Sequence, residues 1–356
     1  MNAKPHVVVI GAGILGAAIA WHLARGGARV TVVEAEREPG GLATRASFAW
    51  INAGVGKSQS HVGLRLAAIA GWHRLAREVP GIAARFTGGL AWNLPRAELE
   101  ANCAEHARWG GRIRLVERDE ITRLEPRLID PPEVAAFAED EGMVEAPGAA
   151  RALIAGSSAD LRSLETVNRL LVENGRVTGV VGEGELAADA VVVAAGIAAQ
   201  GLLATAGIDF AVDSTPGLLV YTAPHERLIE RLLVTPMLDV RQGADGRLHA
   251  GADFTGSFDL TRPEDTMMAL MAALRGLLKG AERLRPEGFT IGERPAPADG
   301  LPALGAVPGI AGLYVAVTRS GVTLAPAIGA MLAREILDHE IDPLVAPYRV
   351  SRFMTG

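Results

Sequence analysis

The stretch Val7-Val8-Val9-Ile10-Gly11-Ala12-Gly13-Ile14-Leu15-Gly16 constrains this chain more than any other. Four apolar residues in a row, without alternation, suit a parallel strand buried on both faces. Ile14, Leu15, Ala18, Ile19, His22 and Leu23 then recur at helical spacing, and Gly26-Gly27 stops that helix. Residues 30–33 are a second apolar run, so strand, helix and strand form a short right-handed crossover. The glycines between them have separate tasks. Gly11 allows the tight turn, Gly13 lets a pyrophosphate approach the backbone, and Gly16 lets helix and strand pack closely. Ile14 and Leu15 open the helix, whose free N–H groups and partial positive charge face the phosphates. Glu34 ends the second strand 21 residues beyond Gly13, followed by Ala35. Its carboxylate can accept hydrogen bonds from ribose hydroxyls and would repel a 2′-phosphate. The pattern specifies a dinucleotide without choosing between FAD and NAD.

Composition narrows the rest. A chain of 356 residues is long for one core, so two domains are expected. The net charge of −6 argues against a nucleic-acid surface and against an anionic membrane surface. Cys103 is the only cysteine, which excludes an internal disulfide and disfavours a cysteine metal site. No spacing among the eight histidines suggests a metal either. A cytoplasmic location suits this cysteine usage, and no secretory signal opens the chain. Residues 312–332 are apolar but carry Arg319 and several glycines and prolines, so they read as strand, loop and helix, not as a membrane span.

Further along, the periodicity predicts a helix over 64–79 and strands over 90–94 and 134–144. A short helix follows over 149–155, with residues 156–162 trimmed or irregular, and then strands over 164–172, 176–181 and 190–195. Strands over 218–222, 234–240 and 247–252 precede a helix over 263–278, a strand over 314–317 and a helix over 324–337. Parallel-type segments lie at the start, middle and end, with antiparallel-type segments between. The expected fold is therefore α/β (α+β): a Rossmann-type domain and a second domain built on a mostly antiparallel sheet. The first would take residues 1–85, 145–213 and 290–356, the second 86–144 and 214–289.

Residues 40–54, with Arg45-Ala46-Ser47-Phe48-Ala49-Trp50-Ile51-Asn52-Ala53-Gly54, are small, polar and too irregular for a Rossmann helix. Near the end, Arg294-Pro295 and Ala298-Asp299-Gly300-Leu301-Pro302 lead to the last strand, and Arg319-Ser320-Gly321-Val322-Thr323 opens the last helix. With the fingerprint, Glu34 and residues 191–196, these stretches make the chain resemble the FAD-dependent D-amino acid oxidase family in its broad sense. That group includes glycine oxidase, sarcosine oxidase and bacterial D-amino acid dehydrogenases. The resemblance covers nearly the whole chain and implies FAD, with an antiparallel sheet over the flavin. It places Arg45, Ala46 and Ser47 near flavin and pyrophosphate, and Val167 at the adenine side. Ala195 and Gly196 would line the cofactor, Asn52, Ala53, Gly300 and Leu301 would join its contacts, and Gly321, Val322 and Thr323 would meet the pyrimidine edge. No cysteine occurs in the C-terminal half and no histidine matches a flavin-linking position, so noncovalent FAD is expected.

The family's usual substrate is an amine beside a carboxylate. Arg319 and Arg294 match arginines of the glycine oxidase type and are the candidates for orienting it; a salt bridge or a structural bracing role would use the same residues. Asp239 stands where such sequences carry a carboxylate-binding tyrosine. An ionised aspartate cannot donate to a carboxylate, which opens N-substituted, cyclic or cationic substrates; the plainer reading is an exposed strand residue. Phe254 is a candidate for the pocket wall, with an apolar core residue as the plainer reading. His61 reads as a helix-capping or surface residue with a possible view of the flavin, and His73 and His249 as surface residues. The activity implied is oxidation of a C–N bond to an imine by hydride transfer to flavin N5. O2, a quinone or a partner protein would accept the electrons. The alternative is an FAD-containing subunit of a multisubunit amine or opine dehydrogenase complex. A nicotinamide-dependent reductase would need a second glycine fingerprint, and a catalytically silent FAD scaffold is the remaining reading.

Overall fold

The computed structural model describes residues 4–251 and 261–354, so Phe254 lies outside the described residues. Strand β1 (His6–Ile10), helix α1 (Ile14–Arg25) and strand β2 (Arg29–Glu34) open the chain; α2 (Gln59–Glu78) and α3 (Ala146–Ser157) follow. Then come β3 (Asp160–Ser163), β4 (Ala190–Val193), β5 (Val212–Thr222), β6 (Pro286–Pro297), β7 (Ala303–Ala306), β8 (Leu313–Val317) and α4 (Gly321–Asp338).

A six-stranded sheet runs β7-β8-β4-β1-β2-β3. All its pairings are parallel except β7 with β8. The period of two along β1 divides the cores. Val7 and Val9 face α1, α2 and α4 in one cluster, while Val8 and Ile10 join Val191, Val193 and Phe210 in another. That double burial is why the strand reads as an unbroken apolar run. An eight-stranded sheet begins β6-β5 and continues through Leu248–Gly251, Asp239–Gln242, Leu232–Val234, Gly89–Ala91, Val134–Ala138 and Ile113–Glu117. Leu218, Val220, Val240, Leu248 and Ala250 on one face pack with the helix Pro263–Leu277. The opposite face, with Gly217 beside Gly292 in register, turns to a cleft between the two sheets. Among the described residues no helix is long and apolar enough to cross a membrane.

Several boundaries differ from expectation for physical reasons. Helix α3 spans twelve residues, and residues 160–162, the end of the stretch expected to be trimmed or irregular, join Ser163 in pairing with β2 as a sixth strand. Asp160-Leu161-Arg162-Ser163 is a partly exposed edge, so it carries no apolar signal. The single strand expected over 164–172 begins only at Arg169, because Leu164 and Glu165 donate their N–H groups to the Glu36 and Glu34 carbonyls beside the cleft. The run 234–240 is two strands, Leu232–Val234 and Asp239–Gln242. Pro236 cannot donate to a ladder, and Thr235 Oγ1 caps the turn with Leu238.

One contact locks α2 to the start of α4. Pro326 lies inside α4 and has no N–H for the carbonyl four residues earlier, that of Val322. The indole of Trp72, fully buried, donates to that carbonyl at 2.9 Å and to Thr323 at 3.2 Å. Trp72→Phe is expected to cost about 1–3 kcal/mol in urea unfolding through the unsatisfied carbonyl, and Trp72→Ala about 3–5 kcal/mol. With Pro326→Ala the helix can satisfy Val322 itself, so the Trp72→Phe cost should shrink in that background. An equal cost in both backgrounds would separate the two residues.

Candidate active site: a continuous cleft at the strand ends

The carboxyl ends of β1, β2, β4 and β8 open into a cleft of about 710 Å3, the usual ligand position of such a sheet. Gly11 sits at φ +98°, and a Cβ there would lie 2.7 Å from the Ala194 carbonyl oxygen. A Cβ on Gly16 would collide with the Gly11 carbonyl. At Gly13, by contrast, the nearest atom to a Cβ would be Thr44 Oγ1 at 3.5 Å, so the turn is open on the cleft side. Ile14 N–H donates to Thr44 Oγ1, which brings residues 40–47 over the helix N-terminus. The Glu34 carboxylate accepts from the N–H groups of Ala12 and Glu36 and borders the cleft. Ala35, Arg45, Ala46, Ser47, Val167, Ala195, Gly196, Gly321 and Val322 line the same space, as do Gly11, Gly13, Ile14 and Leu15.

Beyond Val322 the cleft continues into a space of about 320 Å3, bordered by Asn52, Gly300, Ser320, Thr323, Phe48, Trp50, Leu218 and Leu219. Arg294 and Arg319 border both parts. Ala53, Leu301 and Gly16 stand behind the wall: Ala53 donates to Glu141, Leu301 to Asp299, and Gly16 supports the turn. Asp239, expected to be exposed, is buried in its strand opposite Gly251 and Val234 and does not line the cleft. Cys103 is buried with Leu99, Val134 and Ala136, away from the cleft lining.

The histidines correct the expectation of surface roles. Ser58, not His61, caps α2. His61 is buried, borders the cleft, and faces two donors: Arg65 Nε at 3.2 Å from Nε2 and Lys57 N–H at 3.3 Å from Nδ1. Burial, Arg65 and Lys57 lower its pKa to about 4, so it is neutral at pH 7. His73 is half-buried and stacks on Phe86 at 3.7 Å. His249 lies opposite Tyr221 and Arg241, and both ring nitrogens are buried without a hydrogen-bond partner among the described residues. Burial, Arg241 and Arg247 lower its pKa to about 3.

Two functional groups escaped the sequence reading. Arg65 lies on the buried side of α2 with Ala68, Ile69 and Trp72; a cation on that apolar stripe was the available signal. Glu141, far away in the chain, accepts from Trp50 Nε1 and from the N–H groups of Ala53 and Gly54 at 2.7–2.9 Å. It thereby fixes the segment that carries Asn52.

The FAD dependent oxidoreductase (DAO) family matches residues 6–335. The chain belongs to that family. This FAD-dependent oxidoreductase is 29% identical to the glycine oxidase of Pseudomonas aeruginosa, over 96% of this chain and 97% of that one. The crystal structure of glycine oxidase from Geobacillus kaustophilus superposes with a TM-score of 0.85 at 26% identity, covering 98% and 99% of the two chains. That of iminodiacetate oxidase from Chelativorans sp. BNC1 gives 0.81 at 25% identity, over 96% and 98%.

The residues present fit FAD. The open face of Gly13 and the N-terminus of α1 suit the pyrophosphate, Glu34 suits a ribose, and the cleft runs on to the N-terminus of α4. In the FAD-dependent enzyme, Glu34→Ala should weaken FAD binding at least tenfold, or by about 1.4 kcal/mol, in a fluorescence titration of the apoprotein. Unchanged affinity would remove Glu34 from the site. Burial pushes the Glu141 carboxyl up to about 7 from 4.5, against the three N–H donors. Between those values the native protein holds a proton that the unfolded chain has lost, so this group makes stability fall as pH rises through that window. Glu141→Gln should remove that part of the decline in urea unfolding at pH 5 and pH 8. An unchanged slope would mean that the donors keep the carboxylate ionised.

Proposed function

We propose that this flavoprotein oxidises the C–N bond of an amino acid or related secondary amine that carries a carboxylate. The observation that carries the reading is the position of Arg294 and Arg319, which border the cofactor cleft and its extension at once. A guanidinium there can hold a carboxylate so that the neighbouring C–H points toward the cofactor. The two large sheets, each with its own apolar packing, support a division of labour in which residues 1–85, 145–213 and 290–356 hold FAD. Residues 86–144 and 214–289 would then cover the substrate.

FAD supplies the two-electron acceptor; the chain's own residues bind, orient and exclude water. Phe48, Trp50 and Leu219 give the extension apolar walls, which favour the neutral amine over the ammonium. The amine then gives up a hydride from carbon and a proton from nitrogen to solvent, and water hydrolyses the imine to an oxo acid or aldehyde with release of ammonia or the smaller amine. The scheme requires no side-chain base. His61 borders the site in its neutral form with both ring nitrogens facing donors, a poor arrangement for taking up a proton.

The test is anaerobic mixing of the FAD-loaded protein with D- and L-amino acids, N-methyl amino acids, cyclic imino acids and imino dicarboxylates while the flavin band is followed. Bleaching by one class is the expected result, and a yellow protein that none of them bleaches would sink the reading. For the substrate so found, Arg319→Ala and Arg294→Ala should each raise KM at least about tenfold with the flavin retained. Unchanged kinetics would remove that arginine from the site. Turnover with an artificial acceptor but not with O2 would point to a partner that takes the electrons.

A further inference from the structure

Arg65 is a buried cation without a counterion. Its residue is 3% exposed, yet its hydrogen-bond partners are all neutral. Nη1 donates to the Asn52 carbonyl at 3.2 Å and to Asn52 Oδ1 at 2.5 Å, Nη2 donates to Ser320 Oγ at 2.6 Å, and Nε donates to His61. Among the described residues, no carboxylate stands within ion-pair distance of it. Glu141, whose field reaches Arg65, directs its oxygens to three N–H donors instead. Burial accordingly lowers the guanidinium pKa to about 10, which still leaves it charged at neutral pH. A buried charge of this kind is costly unless something nearby compensates it.

The position of the group shows where the compensation comes from. Arg65 borders the extension of the cleft, and its Nη2 rests on Ser320, the residue that precedes the first turn of α4. Asn52, its other anchor, donates to Thr323 in that same turn. Val322, between them, borders both parts of the cleft. The guanidinium and the N-terminus of α4 therefore direct positive potential into one place, and bound FAD would displace water there and let the charges act strongly.

We propose that Arg65 is the counter-charge for the negative charge that bound FAD acquires on reduction, and that it raises the reduction potential of this flavin. Asn52, Ser320 and His61 hold the guanidinium without neutralising it; a carboxylate in any of those three places would cancel the effect. The proposal requires bound FAD but not the amine reading, so it stands or falls without a substrate.

The test uses FAD-loaded parent, Arg65→Met and Arg65→Lys proteins, with two measurements: the two-electron midpoint potential and the affinity for sulfite, which favours electron-poor flavins. Arg65→Met is expected to shift the reduction equilibrium at least tenfold, about 30 mV downward, and to weaken sulfite binding by a similar factor. Arg65→Lys should restore most of both. Ser320→Ala, which releases one anchor and keeps the charge, should move both quantities in the same direction as Arg65→Met, by a measurable amount below threefold; it also serves as the probe if Arg65→Met fails to fold, and no movement outside the error of the measurement then counts against the proposal. A folded Arg65→Met protein with potential and sulfite affinity within twofold of the parent overturns it. So does unchanged potential with tenfold weaker binding of acetate or pyruvate, which would assign the cation to a substrate carboxylate.

Discussion

How closely α1 can approach β1 and β4 decides everything in the cleft. The turn between them leaves no space for a side chain at Gly11 or Gly16, while Gly13 stays open on the ligand side. That spacing aims the helix N-terminus at the mouth of the sheet, and Glu34 on the neighbouring strand ties the turn through Ala12. Parallel pairing then brings β4 and β8 alongside, so segments from the middle and end of the chain meet the fingerprint at one edge. A slip of one residue in β1 would exchange its two apolar faces and separate these parts.

The second half of the site rests on polar links between distant segments. Glu141 holds residues 53 and 54, Asn52 reaches Thr323, and Trp72 supplies the hydrogen bond that Pro326 removes from α4. Each link restrains a segment without regular structure, or one weakened by proline, against a rigid element. Residues 40–54 can therefore curve around a ligand and still keep a defined geometry. Placing a buried ion among neutral partners follows the same logic, because each donor and acceptor is specified by shape while the charge is left for a ligand.

The parts legible in the sequence were those whose signal is local. The fingerprint, Glu34, the apolar runs of β1, β2 and β4, and the last helix with Arg319 before it all announce themselves through spacing. Arg294 and Arg319 were found through family likeness, and the structure sets both beside the cleft. What escaped was either unsupported by pattern or assembled in space. Strand β3 is an exposed edge of mixed polarity, so no period marks it. His249 looked like a surface residue because it alternates with Leu248 and Ala250 of the core face, and only the folded sheet encloses its ring on the other face beside Tyr221 and Arg241. Glu141 stands in a turn where acids are ordinary, and only the folded chain shows that its oxygens are enclosed by Trp50, Ala53 and Gly54.

The protein carries a net charge of −6, yet the extension of the cleft is bordered by Lys57, Arg65, Arg294 and Arg319 and by no carboxylate among the described residues. The ionisable side chains lining the extension thus carry the opposite sign from the chain as a whole. A net negative body with a cationic recess would draw an anion in along the axis of the opening, as a directional filter. After C–N oxidation of an amino acid the two products would experience that field oppositely. Ammonium would be expelled, while the oxo acid, which keeps its carboxylate, would be retained. On that reading, departure of the acid, not of the nitrogen, would be the slow exit, and a raised ionic strength would speed it while slowing arrival of the substrate.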